Sequence, residues 1–353
     1  AQFAKLAVSD LPPEELISKI EDIVDELREN STSRMPITIS QALEKQKQNI
    51  IENRDARLAG KSKYILTGLG DLDYILGGLK KSRFYVLGAP PGEGKSELAQ
   101  DIAIKAARDG RTVLYFTREM PDEELAERHN VKLTNLSSQL QDTGDLSEED
   151  WQHVDNQIET TKEWPLYIDD TTEGIGEISA MCTRFRRKGL DLVIVDYLQL
   201  VETGGKDNND NSKRVATISR KLKALARREK VPVLALSSVH RGYSTRPGTS
   251  MKVSDLKYSG DLDHDADVVL MLRTVGDETE ESLMCPHCGH LKTSHGRDGC
   301  TGGCTCNKQR FIEKILQVKK QRGGRTGSLN ILFDAYKTIF VGETHSEESI
   351  VLS

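Results

Sequence analysis

The sequence predicts an α/β fold in which a mostly parallel sheet is covered by helices on both faces, and three observations carry this. From Tyr64 onward short, continuous apolar runs alternate with helical stretches; strands that are apolar throughout, rather than at every second position, are buried on both sides. The run Phe84-Tyr85-Val86-Leu87-Gly88 leads through Ala89-Pro90-Pro91-Gly92-Glu93-Gly94-Lys95-Ser96 into Glu97-Leu98-Ala99-Gln100-Asp101-Ile102-Ala103, which reads as a strand, a glycine loop and a helix start. No helical pattern separates the last strands, at 315–318 and 328–333, so hairpins are expected to close one edge.

The chain has 353 residues, enough for one large domain or two modest ones. Charged residues make up 29% and the formal net charge is -6, which excludes a chain-wide basic footprint; any contact with nucleic acid must be local. There is no run of about eighteen apolar residues, and Ala1-Gln2-Phe3-Ala4-Lys5 is not a signal peptide. A soluble cytoplasmic protein with no membrane partner is expected. A first residue other than Met leaves room for further sequence ahead of it.

The elements follow in order. Leu16, Ile17, Ile20, Ile23, Val24 and Leu27 recur at helical spacing, which predicts an amphipathic helix over 13–29. Its apolar stripe packs either on its own domain or on a neighbouring subunit. Residues 30–36 read as a linker. A second helix, over 40–58, carries few apolar residues (Leu43, Ile50, Ile51, Leu58) among many charges, as suits a helix that spans space and clips onto something else. Strands are expected at 84–88, 113–117, 166–168, 192–196, 231–236 and 268–272, and helices at 97–108, 123–130, 147–162, 175–188 and 212–229. The reading divides the chain into 1–35, 36–60 and a main domain over 61–353, with an insertion at 277–311.

The loop at 89–96 follows the pattern G-x-x-x-x-G-K-[ST], with Ala89 where the first glycine is commonest. In that pattern the backbone N–H groups of Pro91-Gly92-Glu93-Gly94-Lys95-Ser96, those that have them, wrap phosphates. Lys95 reaches the β and γ oxygens and the Ser96 hydroxyl holds Mg²⁺. A nucleoside triphosphate is the expected ligand. Asp196 ends the buried run Val193-Ile194-Val195, where a second Mg²⁺-organising carboxylate stands in phosphate-loop enzymes; a turn-forming Asp is the alternative. Glu119 lies two residues past the strand at 113–117, placed either to polarise an attacking water or as a solvated acid at a helix start. Lys319-Lys320-Gln321-Arg322-Gly323-Gly324-Arg325, taken alone, reads as a basic exposed turn.

Phe116-Thr117-Arg118-Glu119-Met120-Pro121, Val195-Asp196-Tyr197-Leu198-Gln199-Leu200, Ile218-Ser219-Arg220-Lys221-Leu222-Lys223-Ala224-Leu225-Ala226, and Ser254-Asp255-Leu256 with Ser259-Gly260 and Asp265-Ala266-Asp267 share their order and spacing with one family. From about 66 to about 340 the chain resembles the RecA-like P-loop NTPase motor domain of DnaB-type hexameric replicative DNA helicases. The resemblance implies ATP hydrolysis in a homo-hexameric ring that moves 5′ to 3′ on single-stranded DNA. It implies Glu119 as the catalytic glutamate and Asp196 as the Mg²⁺-supporting aspartate. Lys320 and Arg322 become the K-Q-R cations that reach the next subunit's nucleotide, with Arg322 as finger. The helix within 36–60 would dock on the adjacent subunit, and a primase or helicase loader becomes an expected partner in a bacterial or phage-infected cell. The family's N-terminal collar is not visible in the sequence. Lys257-Tyr258-Ser259-Gly260 matches the family's R-E-S-G, so Arg241, Lys257, Ser259 and Gly260 are the expected DNA contacts, binding phosphates without reading bases. One position departs: Leu236-Ser237-Ser238-Val239-His240-Arg241 puts Ser238 where the family has a γ-phosphate-sensing Gln or His. Two rivals remain open, a recombinase-like DNA-dependent ATPase and an ATP-gated DNA clamp or assembly platform.

Of six cysteines Cys182 stands alone, while Cys285, Cys288, Cys300, Cys304 and Cys306 crowd together with His290 and His295 in a stretch almost without apolar residues. Clustering of this kind in a cytoplasmic protein favours metal over disulfides. Such a segment cannot fold around a core of its own, and Zn²⁺ held by four of the five thiolates would supply the stability, with His295 as a substitute ligand. A loop of free thiols is the alternative. Four thiolates leave no place for water, so the zinc would be structural.

Overall fold

The computed structural model describes residues 36–134, 136, 138–203, 210–240, 251–275, 295–296, 299–300, 311–335, 337–342 and 350–352, with isolated positions 12, 16, 19, 20 and 23. The helix expected over 13–29 therefore lies, but for single helical positions, outside the described residues. Helix α1 (Ile39–Leu58) begins in a reciprocal cap: the Thr38 hydroxyl accepts from Gln41 N at 3.2 Å and Gln41 Oε1 accepts from Thr38 N at 3.0 Å. None of its residues is buried, and Ile39, Leu43, Ile50 and Leu58 are exposed.

The main domain then runs α2 (Gly70–Leu76), β1 (Phe84–Ala89), α3 (Lys95–Arg108), β2 (Thr112–Thr117), α4 (Asp122–Thr134), α5 (Ser138–Thr143), α6 (Glu148–Thr161), β3 (Leu166–Asp169), α7 (Ile175–Arg186), β4 (Leu190–Asp196), α8 (Asn211–Glu229), β5 (Val233–Ser238), α9 (Ser259–Asp265) and β6 (Val268–Thr274). A two-stranded hairpin, β7 (His295–Gly296) and β8 (Gly299–Cys300), precedes β9 (Phe311–Gln321), β10 (Gly327–Asp334), β11 (Ile339–Gly342) and β12 (Ile350–Leu352). The main sheet has the order β11-β10-β9-β6-β1-β5-β4-β2-β3, with β12 on β10. From β6 to β3 every pairing is parallel; β9, β10, β11 and β12 add antiparallel partners at the far edge. The parallel sheet and its hairpin edge are as expected. The reading of 315–318 as a strand was too short, because Glu313, Lys314, Lys319 and Lys320 interrupt the apolar run that marks β9. It also passed over α2, α5, α9 and β11.

Alternation along the strands divides the core in two. Tyr85, Leu87 and Ala89 of β1, Val113 and Tyr115 of β2, and Leu192 and Ile194 of β4 face Leu98, Ile102 and Ala106 of α3. Phe84, Val86, Leu114, Phe116, Val193 and Val195 face Ile178 and Cys182 of α7 and Val215, Ile218, Leu222 and Leu225 of α8. Each fully buried Leu, Ile or Val contributes about 1.5–3 kcal/mol, and the period of two assigns every strand residue to one layer. By that parity Asp196, two residues past Ile194, falls on the α3 side. Among the described residues no helix is long and apolar enough to cross a membrane.

Charges also join α3 to α4. The Arg128 guanidinium donates to Glu97 Oε1 at 2.5 Å, and the buried Lys132 ammonium lies 3.1 Å from Glu97 Oε2 and 2.9 Å from Asp101 Oδ1. Beside them, burial and the Lys132 charge push the His129 imidazole down from its ordinary 6.5 to about 4, and its Nε2 is sealed without a partner among the described residues. The unfolded chain therefore binds a proton at His129 between pH 6.5 and 4 that the folded chain does not, so this residue removes stability as pH falls through that window. Chemical denaturation is expected to show wild type losing stability relative to His129→Asn between pH 6.5 and 4, with no difference arising between pH 7 and 8.

Candidate functional site

The phosphate loop joins the C-terminal end of β1 to α3. Its turn needs positive φ at Gly92 (81°) and Gly94 (85°), a conformation that side chains with a Cβ rarely adopt. Gly94 caps α3, so the unpaired first amides of that helix face the loop's hollow with the positive end of the helix dipole. The Lys95 ammonium donates to Glu119 Oε2 at 3.0 Å and sits 5.1 Å from the Tyr197 ring centroid. Asp196 is fully buried. Its Oδ2 accepts from the Tyr115 hydroxyl at 3.0 Å, while its Oδ1 is sealed from solvent with no hydrogen-bond partner among the described residues. Burial pushes the Asp196 carboxyl up, and Lys95, the Ser96 hydroxyl and Tyr115 pull it back. A buried carboxylate oxygen without a partner, beside the Ser96 hydroxyl, is a hard-oxygen donor pair that fits Mg²⁺. The structure thus brings Lys95, Ser96, Glu119 and Asp196 together.

Glu93 turns out of this hollow. Its Oε2 accepts from Lys314 Nζ at 2.9 Å and from the Thr274 hydroxyl at 2.8 Å, so its side chain does not line the phosphate cradle. Sequence reasoning assigned no role to Lys314 or Thr274. The available signal was Glu93 itself, an acidic side chain inside a loop shaped for anions. Gln199 was also passed over; its Nε2 donates to the Ser237 hydroxyl at 2.8 Å and its Oε1 accepts from Ser238 N at 3.4 Å, filling space beside the short Ser238.

Of the expected DNA-contact residues, Lys257 joins the site through the backbone. Lys257 N donates to Ser238 O at 2.9 Å and His240 N to Asp255 O at 2.8 Å, while Ser238 pairs in register with Ala89, the first residue of the loop. Ser259 and Gly260 open α9; Arg241 lies outside the described residues. Lys320 and Arg322 are not brought to Lys95. The Lys320 ammonium donates to Asp263 O and the Arg322 guanidinium to His264 O, both at the C-terminal end of α9. Gln321 pairs with Val268, Arg322 N donates to Asp267 O at 2.8 Å, and Asp267 Oδ2 accepts from Phe84 N at 2.8 Å, at the start of β1. These cations therefore lie at the opposite end of β1 from the phosphate loop.

Cys285, Cys288, Cys304 and Cys306 fall outside the described residues, and Cys300 stands opposite His295 in the β7–β8 register. Among the described residues no three potential metal ligands converge.

The family model of the DnaB-like helicase C terminal domain matches residues 65–342. The replicative DNA helicase DnaC of Bacillus subtilis (strain 168) is 33% identical over 325 residues, which are 91% of this chain and 65% of that protein. The replicative DNA helicase DnaB of Geobacillus stearothermophilus is 34% identical over 226 residues, 63% of this chain and 49% of that protein. The chain thus spans about half to two thirds of the length of these relatives. A solved DnaB-like replicative helicase, described with its interactions with primase, superposes with a TM-score of 0.69 at 25% identity and covers 92% of this chain and 72% of that one. The fold is RecA-like, and the chain belongs to the DnaB-like helicase family through that family's C-terminal domain.

Proposed function

We propose that this chain is the ATP-driven motor of a ring-shaped homo-hexameric DNA helicase, moving 5′ to 3′ on one strand in the cytoplasm of a bacterial or phage-infected cell. The observation that carries it is the division of the site: Lys95, Ser96, Asp196 and Glu119 meet at one end of β1, and Lys320 and Arg322 stand at the other. Two chains side by side complete what one chain separates.

Ser96 and Asp196 would hold Mg²⁺, which would supply charge neutralisation to the triphosphate. The Lys95 ammonium donates to Glu119 Oε2 at 3.0 Å. A triphosphate in the loop competes for that ammonium and leaves the Glu119 carboxylate free to take a proton from the attacking water. General-base assistance of this kind is worth about 10²–10⁴ in rate. The neighbour's Arg322, assisted by Lys320, stabilises charge on the transferring phosphoryl group. Lys257, Ser259 and Gly260, with Arg241, hold the strand by its phosphates. The Lys257 to Ser238 backbone bond carries their position to the end of β5, next to the phosphate loop. Helix α1, which has no buried residue and exposes Ile39, Leu43, Ile50 and Leu58, suits docking on the adjacent subunit. The likeness to a helicase described with primase supports a primase as partner, and a loader is a further candidate. In the 277–311 insertion, four of Cys285, Cys288, Cys300, Cys304 and Cys306 would hold a structural Zn²⁺, with His295 as the alternative fourth ligand.

Displacement of a strand from a forked duplex is expected with ATP and Mg²⁺. Glu119→Gln is expected to lose turnover by about 10²-fold or more while still binding ATP. Nucleotide-dependent DNA binding without displacement would favour the clamp, and filaments on DNA the recombinase-like reading. Elemental analysis of the purified protein is expected to find one zinc per chain; its absence discards the zinc assignment.

A further inference from the structure

An acidic side chain between the two glycines of a phosphate-binding loop is a charge of the wrong sign in the wrong place. In this chain it is held elsewhere. Glu93 Oε2 accepts from Lys314 Nζ at 2.9 Å and from Thr274 Oγ1 at 2.8 Å, and Lys314 Nζ also donates to Thr274 Oγ1 at 2.8 Å, closing a triangle of hydrogen bonds. The side chains of Lys314 and Glu93 are 4% and 7% exposed, and the Phe333 ring centroid lies 5.8 Å from the ammonium. Thr274 and Lys314 are direct cross-strand partners of β6 and β9, so the antiparallel edge of the sheet fixes both donors side by side. A buried ion pair with an added hydrogen bond holds its carboxylate far more firmly than a surface pair does.

We propose that Lys314 is a positioning residue for the nucleotide site: with Thr274 it draws the Glu93 carboxylate out of the path of the phosphates and cancels its charge, leaving Lys95 and the loop amides as the field the ligand meets. This rests on the reading of the loop as an ATP site. It differs from a direct role for Lys314 on phosphate, since the ammonium is spent on Glu93 and Thr274. In its absence the carboxylate loses its only cationic partner among the described contacts and its charge acts on the ligand in proportion to the ligand's own.

The test is equilibrium binding of ATP, ADP and adenosine, with Mg²⁺, to the full chain carrying Lys314→Met, Lys314→Arg, Thr274→Val or the double change Glu93→Gln/Lys314→Met, alongside steady-state ATP turnover. Lys314→Met is expected to weaken ATP by about 10-fold or more, ADP less and adenosine not at all, raising KM well beyond its effect on kcat. Lys314→Arg and the double variant are expected to recover most of the ATP affinity. Should Lys314→Met not fold, Thr274→Val, which removes one of the two donors, is expected to show the same charge-graded loss in milder form. Equal losses for ATP and adenosine would overturn the proposal, as would a loss that persists in the double variant, which would assign Lys314 to the phosphate itself. A wild-type chain that does not bind ATP, or whose binding ignores Lys95→Ala, removes the ATP-site reading instead, and the two failures are distinguishable.

Discussion

Six residues of β1 lie between Asp267, which binds Phe84 N at one end, and the phosphate loop that leaves Ala89 at the other. At about 3.3 Å per residue that is roughly 20 Å, several times the reach of an arginine side chain. Arg322 is tied by its backbone N–H to Asp267 and by its guanidinium to the last turn of α9. The length of one strand thus keeps the cation and the cradle of one chain apart. The end of the sheet a residue occupies sorts the rest: the C-terminal ends of β1, β2, β4 and β5 gather Lys95, Glu119, Asp196 and Ser238, while beyond the N-terminal end of β1 Arg83 donates to Arg322 O at 3.3 Å beside Asp267, with Lys320 near the end of the antiparallel β9.

Within the gathered end, electrostatics are arranged for a ligand. Lys95 is shared between Glu119 and the face of Tyr197, and Asp196 is buried with an oxygen to spare. Burial disfavours a lone carboxylate and pushes the Asp196 carboxyl up from its ordinary range; a divalent cation on its unpartnered oxygen would relieve that cost. Glu93, the one acidic side chain in the loop, is taken away by an ion pair with Lys314 on the antiparallel edge of the sheet. The antiparallel edge therefore contributes to the nucleotide site through Lys314 on β9, and the same strand ends in the cations of the other end.

Much of this was legible in the sequence, and the reasons differ by element. The parallel strands announced themselves because both faces are buried, which leaves unbroken apolar runs such as Val193-Ile194-Val195, and period-two alternation then puts Asp196 on the α3 side. The loop at 89–96 was legible from strand–loop–helix order, whereas the position of Glu119 two residues past β2 left two readings open and only the family resemblance gave it a role. Helix α9 was not, since Ser-Gly-Asp-Leu-Asp-His-Asp lacks good helix formers and is held by its packing on α8 and by the cations at its C-terminal end. Lys314 was hidden for a related reason: a lone lysine in a strand reads as solvent-facing, and only the fold shows that Glu93 meets it in the interior.

The central claim is that the cradle and the cation of a working site come from different chains. Mixing Lys95→Ala chains, which keep the cations and lack the cradle's lysine, with Arg322→Ala chains, which keep the cradle and lack the cation, tests it most directly. Each variant alone is expected to hydrolyse ATP poorly, and the mixture to regain turnover from interfaces that pair an intact cradle with an intact cation. A mixture no more active than the sum of its parts, or Arg322→Ala chains that turn over at the wild-type rate on their own, would contradict the account.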